Sequence, residues 1–216
     1  MANEFFDALP IDQAVWRQGA WRHRLVTAVH GALGFVDGPA LSEPELARWQ
    51  ITNDHQDMTE GSRAEYCPAA EPIMRRLAGH IARHGGACLI IDYGKNDNFG
   101  DSLQAVSAHK PVDLFYQPGN ADISHWVDFA ALRRVAINTD ARFFGPVTQA
   151  DFLMEIGLRE RAENAARLCD ADGRRALFAA VDRLVGAHHM GTVFKVGLIV
   201  PAGDGVPVGF SRENIS

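Results

Sequence analysis

The feature that most constrains the fold of this 216-residue chain is an apolar run at residues 87–92 that follows an amphipathic helix. Before the run, Ile73, Leu77 and Ile81 recur every four positions, the spacing of one helix face, and a glycine pair ends the pattern. The run ACLIID is unbroken instead of alternating, as expected for a strand with helices on both faces of a parallel sheet. This succession predicts an α/β fold.

The flanking segments extend this α/β arrangement. Apolar-rich segments separated by glycine turns predict a small antiparallel β meander with strands at 11–17, 20–29 and 32–37. Helices are predicted after Ser42 or Glu43, between 68 and 85, after Asp128, after Thr148, and at 159–169 and 173–187. Further strands are predicted at 103–106 and across MGTVFKVGLIV, residues 190–200.

These elements predict one domain over residues 1–200. Within it, the meander at 11–37 is an insertion and residues 145–187 form a helical segment. The remaining residues, 201–216, are polar and glycine-rich, and we expect a flexible tail there.

Composition excludes several classes of protein. The formal net charge of −6 argues against a nucleic-acid surface, which needs clustered Lys and Arg. No apolar stretch approaches the roughly 20 residues that span a bilayer, so no membrane insertion is expected. Cys67, Cys88 and Cys169 are far apart and form no Cys-x-x-Cys pair, which indicates reduced thiols in a reducing compartment such as the cytoplasm.

The histidine and glycine patterns do not predict a metal or nucleotide site. His80 and His84 lie four residues apart on the predicted helix, but no third ligand accompanies them. A phosphate cradle needs a strand, a glycine-rich turn and a helix in that order. The glycines at 31–34 lie inside the meander and those at 94–100 precede a strand, so neither matches.

The opening segment NEFFDALP, residues 3–10, combines groups that suit a guanidinium. The side-chain carbonyl of Asn3 can accept a hydrogen bond from a target N–H. Glu4 and Asp7 could hold a planar guanidinium through paired charge-assisted hydrogen bonds, and Phe5 or Phe6 offers a flat wall that excludes water. The alternative is that the two acids cap a helix or face solvent.

Six segments of the chain together resemble one family. They are NEFFDALP at 3–10, LIIDYG at 89–94, GDSLQAV at 100–106, PGNADISHWVDF at 118–129, GPVTQADFL at 145–153 and MGTVFKV at 190–196. In their order and spacing they resemble the MidA-like class I S-adenosylmethionine-dependent methyltransferases, a family that includes the mitochondrial complex I assembly protein-arginine methyltransferase. The resemblance implies a Rossmann-like α/β fold and S-adenosylmethionine as the methyl donor.

The resemblance also implies site residues. In this family the opening segment resembles the turn at the carboxyl end of the fourth strand, facing the methyl group of the donor, where open sheets bind their ligands. Asn3, Glu4 and Asp7 are the implied catalytic residues. The implied substrate-binding residues are Phe5, Phe6, Asp92, Tyr93, Asp101 and His125. For His125 the alternatives are a proton acceptor and a buried histidine with a structural role.

The donor-binding part of the family pattern is expected upstream of Met1. The first strand, the glycine-rich turn and the acidic residue for the ribose would lie there, so the chain resembles the C-terminal part of the family domain. Three interpretations follow: the substrate-side half of a protein-arginine methyltransferase, an inactive binding or assembly module, or a homo-oligomer that completes the donor site. The implied partner is a protein, such as a respiratory complex I subunit. The implied compartment is the bacterial cytosol or the mitochondrial matrix.

Overall fold

The computed structural model describes residues 1–51, 58–203 and 205–210. Over these residues the chain forms two compact units. The first unit contains Met1–Asp7, Ile73–Asn96 and Val127–Ser216, and the second contains Ala8–Pro72 and Asp97–Trp126. The second unit holds the expected meander but is larger than the predicted insertion at 11–37, because it also includes residues up to Pro72 and a second stretch of chain.

The two units together contain a mixture of helices and strands. The strands are β1 (Ala2–Asn3), β2 (Asp12–Arg17), β3 (Ala20–Val29), β4 (Ala32–Ala40), β5 (Arg63–Tyr66), β6 (Cys88–Lys95), β7 (Gln104–Ser107), β8 (Lys110–Val112), β9 (Asp122–Ser124), β10 (Val127–Asp128), β11 (Ala141–Thr148) and β12 (Phe194–Pro201). The helices are α1 (Glu43–Arg48), α2 (Ala70–His84), α3 (Phe129–Ile137), α4 (Gln149–Glu155), α5 (Leu158–Ala166), α6 (Ala171–Val185) and α7 (Met190–Val193). Within the described ranges, no helix combines the length and the apolar character needed to cross a membrane.

The first unit is built on a mixed sheet in the order β1-β6-β12-β11, with β10 also paired to β6. β1 and β10 run parallel to β6, whereas β12 runs antiparallel to both β6 and β11. The expectation of a parallel sheet is therefore wrong on the β12 side. An unbroken apolar run indicates that a strand is buried, but it does not indicate the direction of the neighbouring strands. In β6, buried residues in fact alternate with partly buried ones.

Two segments of the first unit differ from the sequence prediction. The run at 190–200 is not one strand, because α7 occupies its first four residues and β12 begins at Phe194. β11 was not predicted at all. It contains Gly145 and Pro146, which weaken a strand pattern, and its pairing with β12 shifts register between Phe144 and Val147.

The helix caps of the first unit follow the sequence prediction. The side chain of Asp128 accepts a hydrogen bond from the backbone N–H of Ala131, at 3.0 Å, and begins α3. The side chain of Thr148 accepts from the backbone N–H of Asp151, at 3.1 Å, and begins α4. Both helices therefore begin where the capping residues indicate.

An aromatic cluster forms part of the core of the first unit. Phe144, Phe152, Val196 and Phe210 are buried together. The expectation of a flexible tail over residues 201–216 is therefore wrong at Phe210, whose ring centroid lies 5.5 Å from that of Phe152. A single large apolar side chain gains enough from burial to fix a short polar segment. Residue 204 and residues 211–216 lie outside the described residues.

The second unit contains a four-stranded antiparallel sheet, β4-β3-β2-β5, and a three-stranded sheet, β8-β7-β9. The three meander strands at β2, β3 and β4 are confirmed. Trp16, Trp21 and Trp49 are buried in the core of this unit, and the side-chain amide of Asn98 donates a hydrogen bond to the carbonyl of Trp49 at 2.5 Å. α1 begins after Ser42, as predicted, and the Ser42 N–H donates to the Glu45 carboxylate at 2.7 Å.

We predict that Gly94→Ala lowers the free energy of unfolding of the first unit by about 2–3 kcal/mol. A Cβ atom at Gly94 would lie 2.6 Å from Phe129 Cε2 and 2.6 Å from the carbonyl oxygen of Val127, so β10 or α3 must move. Denaturant titration followed by circular dichroism measures the change.

The matched control is Gly79→Ala in α2, where nothing lies within 4 Å of the added atom. We expect this variant to gain about 0.5–1 kcal/mol, because alanine is the better helix former. Equal stability of the two variants would contradict the packing of β6 against β10 and α3.

Candidate active site

The opening segment of the chain begins where β1 ends. Asn3 pairs with Ile91 of the parallel strand β6, and the Glu4 N–H extends the ladder by donating to the Ile91 carbonyl at 3.0 Å. Residues 4–7 then leave the sheet beside the next residue of β6, Asp92. The prediction that this segment follows the carboxyl end of a strand is confirmed. Ligands of open α/β sheets bind at such ends.

The carboxylate of Asp92 holds this segment, which we call the acidic loop and define as residues 4–7. Its Oδ2 accepts hydrogen bonds from the backbone N–H groups of Phe5, Phe6 and Asp7, at 3.2, 2.9 and 3.4 Å. Its Oδ1 accepts from the N–H of Tyr93 at 3.0 Å. Asp92 is fully buried, so these amides have a partner where water cannot reach. Sequence reasoning assigned Asp92 to the substrate cleft and missed this loop-holding role, which no spacing pattern encodes.

The burial of Asp92 changes its acidity. Burial, followed by the negative charge of Asp7, raises the pKa of Asp92 to about 7. The hydrogen bonds from the loop amides favour the charged form and oppose this shift, but they do not outweigh it. The group that holds the acidic loop therefore titrates near neutral pH.

Glu4 adopts an unusual backbone conformation. Its φ of 47° lies in the left-handed region, which a residue with a long side chain enters at a cost of about 1–2 kcal/mol. Its side chain is exposed, and its Oε1 accepts a hydrogen bond from the Asn3 side-chain amide at 3.2 Å. The turn at Glu4 thus places two exposed polar side chains side by side at the strand end.

The two phenylalanines of the loop have different environments. Their ring centroids lie 5.2 Å apart at an interplanar angle of 89°, an edge-to-face contact. Phe6 is 1% exposed and belongs to the core, whereas Phe5 is 45% exposed. Phe6 therefore has no free face for a substrate, contrary to its assignment from the sequence. Of the two rings, only Phe5 keeps the predicted role of a wall.

Tyr93 lies next to Asp92 on β6 and stacks obliquely on Phe194, with ring centroids 4.1 Å apart. Burial raises the pKa of Tyr93, and the charges of Glu4, Asp7 and Asp92 raise it further, while Arg183 acts in the opposite direction. The phenol thus stays protonated at neutral pH and can donate a hydrogen bond.

Asp101 and His125 belong to the second unit, unlike the other predicted site residues. Asp101 forms ion pairs with Arg24, at 3.2 Å, and with Arg63, and it accepts a hydrogen bond from Gln13 at 3.1 Å. Its contacts are thus those of an ion-pair network inside the second unit. Its role in a substrate cleft stays a prediction.

His125 is buried at 4% exposure. Its Nδ1 lies 3.0 Å from the carbonyl oxygen of Trp126, a distance at which Nδ1 donates its proton to that oxygen. This bond fixes the orientation of the ring and leaves Nε2 as the nitrogen with a free lone pair, which is buried without a hydrogen-bond partner among the described residues. Both alternatives for His125, the proton acceptor and the structural role, therefore stay predictions.

The remaining candidates from the sequence are two histidines and three cysteines. His80 and His84 lie on α2, with ring centroids 4.8 Å apart. Among the residues that the structure describes, no three His, Cys, Asp or Glu side chains gather into a metal site. The three cysteines are free thiols, and burial raises the pKa of Cys67 and of Cys88.

Comparison with known proteins identifies the family of this chain. The family model described as "Putative S-adenosyl-L-methionine-dependent methyltransferase" matches residues 1–147, and the chain belongs to that methyltransferase family. The chain is 35% identical over 206 residues to "Protein arginine methyltransferase NDUFAF7, mitochondrial" of Xenopus tropicalis, which covers 93% of this chain and 46% of the relative. For the Homo sapiens protein of the same name the identity is 32%, covering 93% of this chain and 45% of the relative.

Solved structures agree with this assignment. A protein from Burkholderia thailandensis superimposes with a TM-score of 0.83 and 27% identity, covering 97% of this chain and 57% of that chain. A second Burkholderia thailandensis structure, solved with S-adenosyl-homocysteine bound, gives a TM-score of 0.81 and 28% identity, covering 97% of this chain and 55% of that chain. The resemblance to the MidA-like family and the class I methyltransferase-like α/β fold are thereby confirmed. The chain spans about half the length of the curated relatives it matches.

We predict that Asp92 makes the stability of the chain depend on pH. Its pKa is higher in the folded state than in the unfolded chain, so between about pH 4 and pH 7 the unfolded state loses the proton first and folding becomes less favourable. Asp92→Asn cannot ionise. From pH 5 to pH 7, the wild type should lose about 1–2 kcal/mol of unfolding free energy relative to Asp92→Asn.

Denaturant titrations at several pH values measure this difference. Asp140→Asn, at an exposed position, is the control and should follow the wild-type pH dependence. A constant difference between wild type and Asp92→Asn across this range would contradict the assigned titration of Asp92.

We predict that Glu4→Gly stabilises the fold by about 0.5–1 kcal/mol, because the relief of the left-handed conformation exceeds the greater chain entropy of glycine. Glu4→Ala removes the same side chain but keeps the unfavourable φ, so it should show no such gain. Thermal and denaturant unfolding compare the two variants. Equal stability of Glu4→Gly and Glu4→Ala would show that Glu4 is not strained.

Proposed function

We propose that this protein is an S-adenosylmethionine-dependent protein methyltransferase that methylates arginine, and that this chain supplies the acceptor side of its site. The observation that carries the proposal is the acidic loop at the end of β1, anchored by Asp92, in a chain of a methyltransferase family. The names of the arginine methyltransferase relatives and the S-adenosyl-homocysteine bound to one structural neighbour support it.

No residue of this chain is proposed to bind the methyl donor. S-adenosylmethionine supplies an electrophilic methyl group when it is bound. Among the described residues, no strand leads through a glycine-rich turn into a helix, the arrangement that cradles such a cofactor. The charged side chains of the acidic loop are carboxylates, which suit a cationic acceptor better than the carboxylate of the donor's methionine portion.

The acceptor chemistry assigns a role to each exposed group of the loop. A guanidinium is a poor nucleophile because it stays protonated throughout the physiological pH range. The exposed Glu4 carboxylate would orient one nitrogen and take up the proton that leaves that nitrogen. Asp7 is 6% exposed, contrary to its assignment from the sequence as a direct partner of the guanidinium, so its negative charge would offset the positive charge without contact. The Asn3 side chain already contacts Glu4 and would accept a second N–H. Phe5 would exclude water from one face, and positioning would account for most of the rate enhancement.

The partner proposed for this site is a protein that presents an arginine. A respiratory complex I subunit is the candidate that the family resemblance suggests, and a homo-oligomer is a further proposed association. The compartment proposed is the mitochondrial matrix or the bacterial cytosol. The relatives are named mitochondrial, and the comparisons give no support to the cytoplasmic assignment made from the sequence.

A second candidate function is an inactive binding or assembly module. The two functions differ in one respect that can be measured, since only the methyltransferase transfers a methyl group.

We predict that Asn3→Ala and Glu4→Gln each reduce methyl transfer at least about 100-fold, because each removes a group that orients or deprotonates the acceptor. The assay measures labelled methyl groups on arginine in a protein substrate, using a form of the protein that binds S-adenosylmethionine. Donor affinity, measured by calorimetry, should stay within about twofold.

Glu163→Gln is the matched control, because Glu163 is an exposed glutamate of α5 and should have wild-type activity. Wild-type turnover in Asn3→Ala and Glu4→Gln would remove the acidic loop from the mechanism. A donor-binding protein that transfers no methyl group would favour the module instead.

A further inference from the structure

The first unit contains a groove beside Tyr93 that the proposed chemistry does not use. It has a volume of about 440 Å³, within the range of about 300–1,000 Å³ typical of binding pockets. The ring of Tyr93, which packs on the buried Phe194, forms an aromatic floor, and Ala179, Met190 and Val193 add apolar walls from α6 and α7. These side chains offer a surface for one large apolar group.

The remaining groove residues are charged. Asp182 and Arg183 extend from α6, and His189 Nε2 lies 3.5 Å from Asp182 Oδ2. The Asp182–His189 pair brings together opposite charges when the histidine is protonated. Arg183 is the one guanidinium among the residues that line the groove in the described part of the chain, so it can attract an acidic group on a ligand.

The groove lies next to the acidic loop. Tyr93 directly follows Asp92, whose carboxylate binds the loop amides. Besides burial, the negative charges of Glu4 and Asp7, in the acidic loop, raise the pKa of the Tyr93 phenol. The positive charge of Arg183, in the groove, lowers it. Tyr93 therefore connects a region that attracts a cation with a region that attracts apolar and acidic groups.

We propose that this groove binds the segment of the protein substrate that flanks the acceptor arginine. This inference rests on the proposed function and adds sequence selectivity to it. The arginine would lie at Glu4, near the negative charge of the buried Asp7, a large apolar side chain of the same segment would pack on Tyr93, and an acidic residue would pair with Arg183. An extended peptide can present both apolar and charged groups to this groove. A purely apolar ligand would offer Asp182, Arg183 and His189 no polar interaction.

The test uses two fluorescein-labelled, end-blocked peptides, Gly-Phe-Gly-Arg-Gly-Glu-Gly and the same peptide with Ala in place of Phe. Fluorescence polarisation measures their affinity for the chain. We expect the wild type to bind the Phe peptide about tenfold or more tightly than the Ala peptide, as burial of one aromatic side chain predicts.

The variant Ala179→Trp fills the groove from an exposed position of α6. It should bind both peptides equally and weakly. Ala180→Trp is the matched control, because Ala180 is the next exposed residue of the same helix and does not line the groove. It should keep the wild-type preference for the Phe peptide. Melting temperatures of the two variants verify that both fold.

A second variant tests the groove without adding volume. Arg183→Ala should weaken binding of the Phe peptide by about fivefold, the effect of losing one charged pair, and should not weaken binding of a peptide with Gly in place of Glu. The groove assignment is overturned if the wild type binds neither peptide at about 1 mM, if it does not distinguish Phe from Ala, or if Ala179→Trp keeps that distinction.

The same peptides separate this inference from the proposed function. If Ala179→Trp abolishes the Phe preference but the donor-loaded wild type methylates neither peptide, the groove stands and the methyl transfer proposal fails. If the wild type and Ala179→Trp methylate the Phe peptide with equal kcat/KM, the activity stands and the groove assignment fails.

Discussion

The site depends on one interaction, the binding of three consecutive backbone amides by the carboxylate of Asp92. A chain that leaves a parallel strand must find partners for its free N–H groups, and here one buried oxygen of the neighbouring strand satisfies them. That arrangement holds the acidic loop at the end of β1, where Glu4 adopts a left-handed conformation. Asp92 is buried and lies beside Asp7. Burial first, and then the negative charge of Asp7, raise the pKa of Asp92 to about 7. Strain and an unusual acidity thus occur together at one strand end, as they often do where a protein binds or reacts.

The sheet of the first unit explains why Tyr93 is accessible beside this loop. β12 pairs antiparallel with β6, so Phe194 at the start of β12 lies opposite Tyr93 near the carboxyl end of β6. α7 directly precedes β12 and brings Met190 and Val193 to the same groove. Loop, aromatic floor and groove therefore all follow from the pairing of two strands with β6. This common origin is the structural basis for treating the acidic loop and the groove as parts of one acceptor surface.

The sequence predicted those features that depend on local chemistry. The caps at Ser42, Asp128 and Thr148 begin helices because a short polar side chain or its partner satisfies the first free amides. The meander was predictable from its glycine turns. β11 was missed because Gly145 and Pro146 interrupt its apolar pattern, and the burial of Phe210 was missed because it depends on tertiary contacts with Phe144 and Phe152.

At the site, the sequence assigned roles to Asn3, Glu4 and Phe5, which the structure leaves exposed, but the burial of Phe6 and Asp7 and the ion pairs of Asp101 depend on contacts between distant residues. The central claim is that the loop held by Asp92 binds a guanidinium, and an NMR titration of the chain with N-acetyl-arginine amide tests it most directly. The account predicts saturable shifts of the backbone amides of Glu4, Phe5 and Asp7, and weaker shifts with the corresponding lysine derivative. Unchanged loop amides at saturating arginine derivative, or equal responses to the two derivatives, would contradict it.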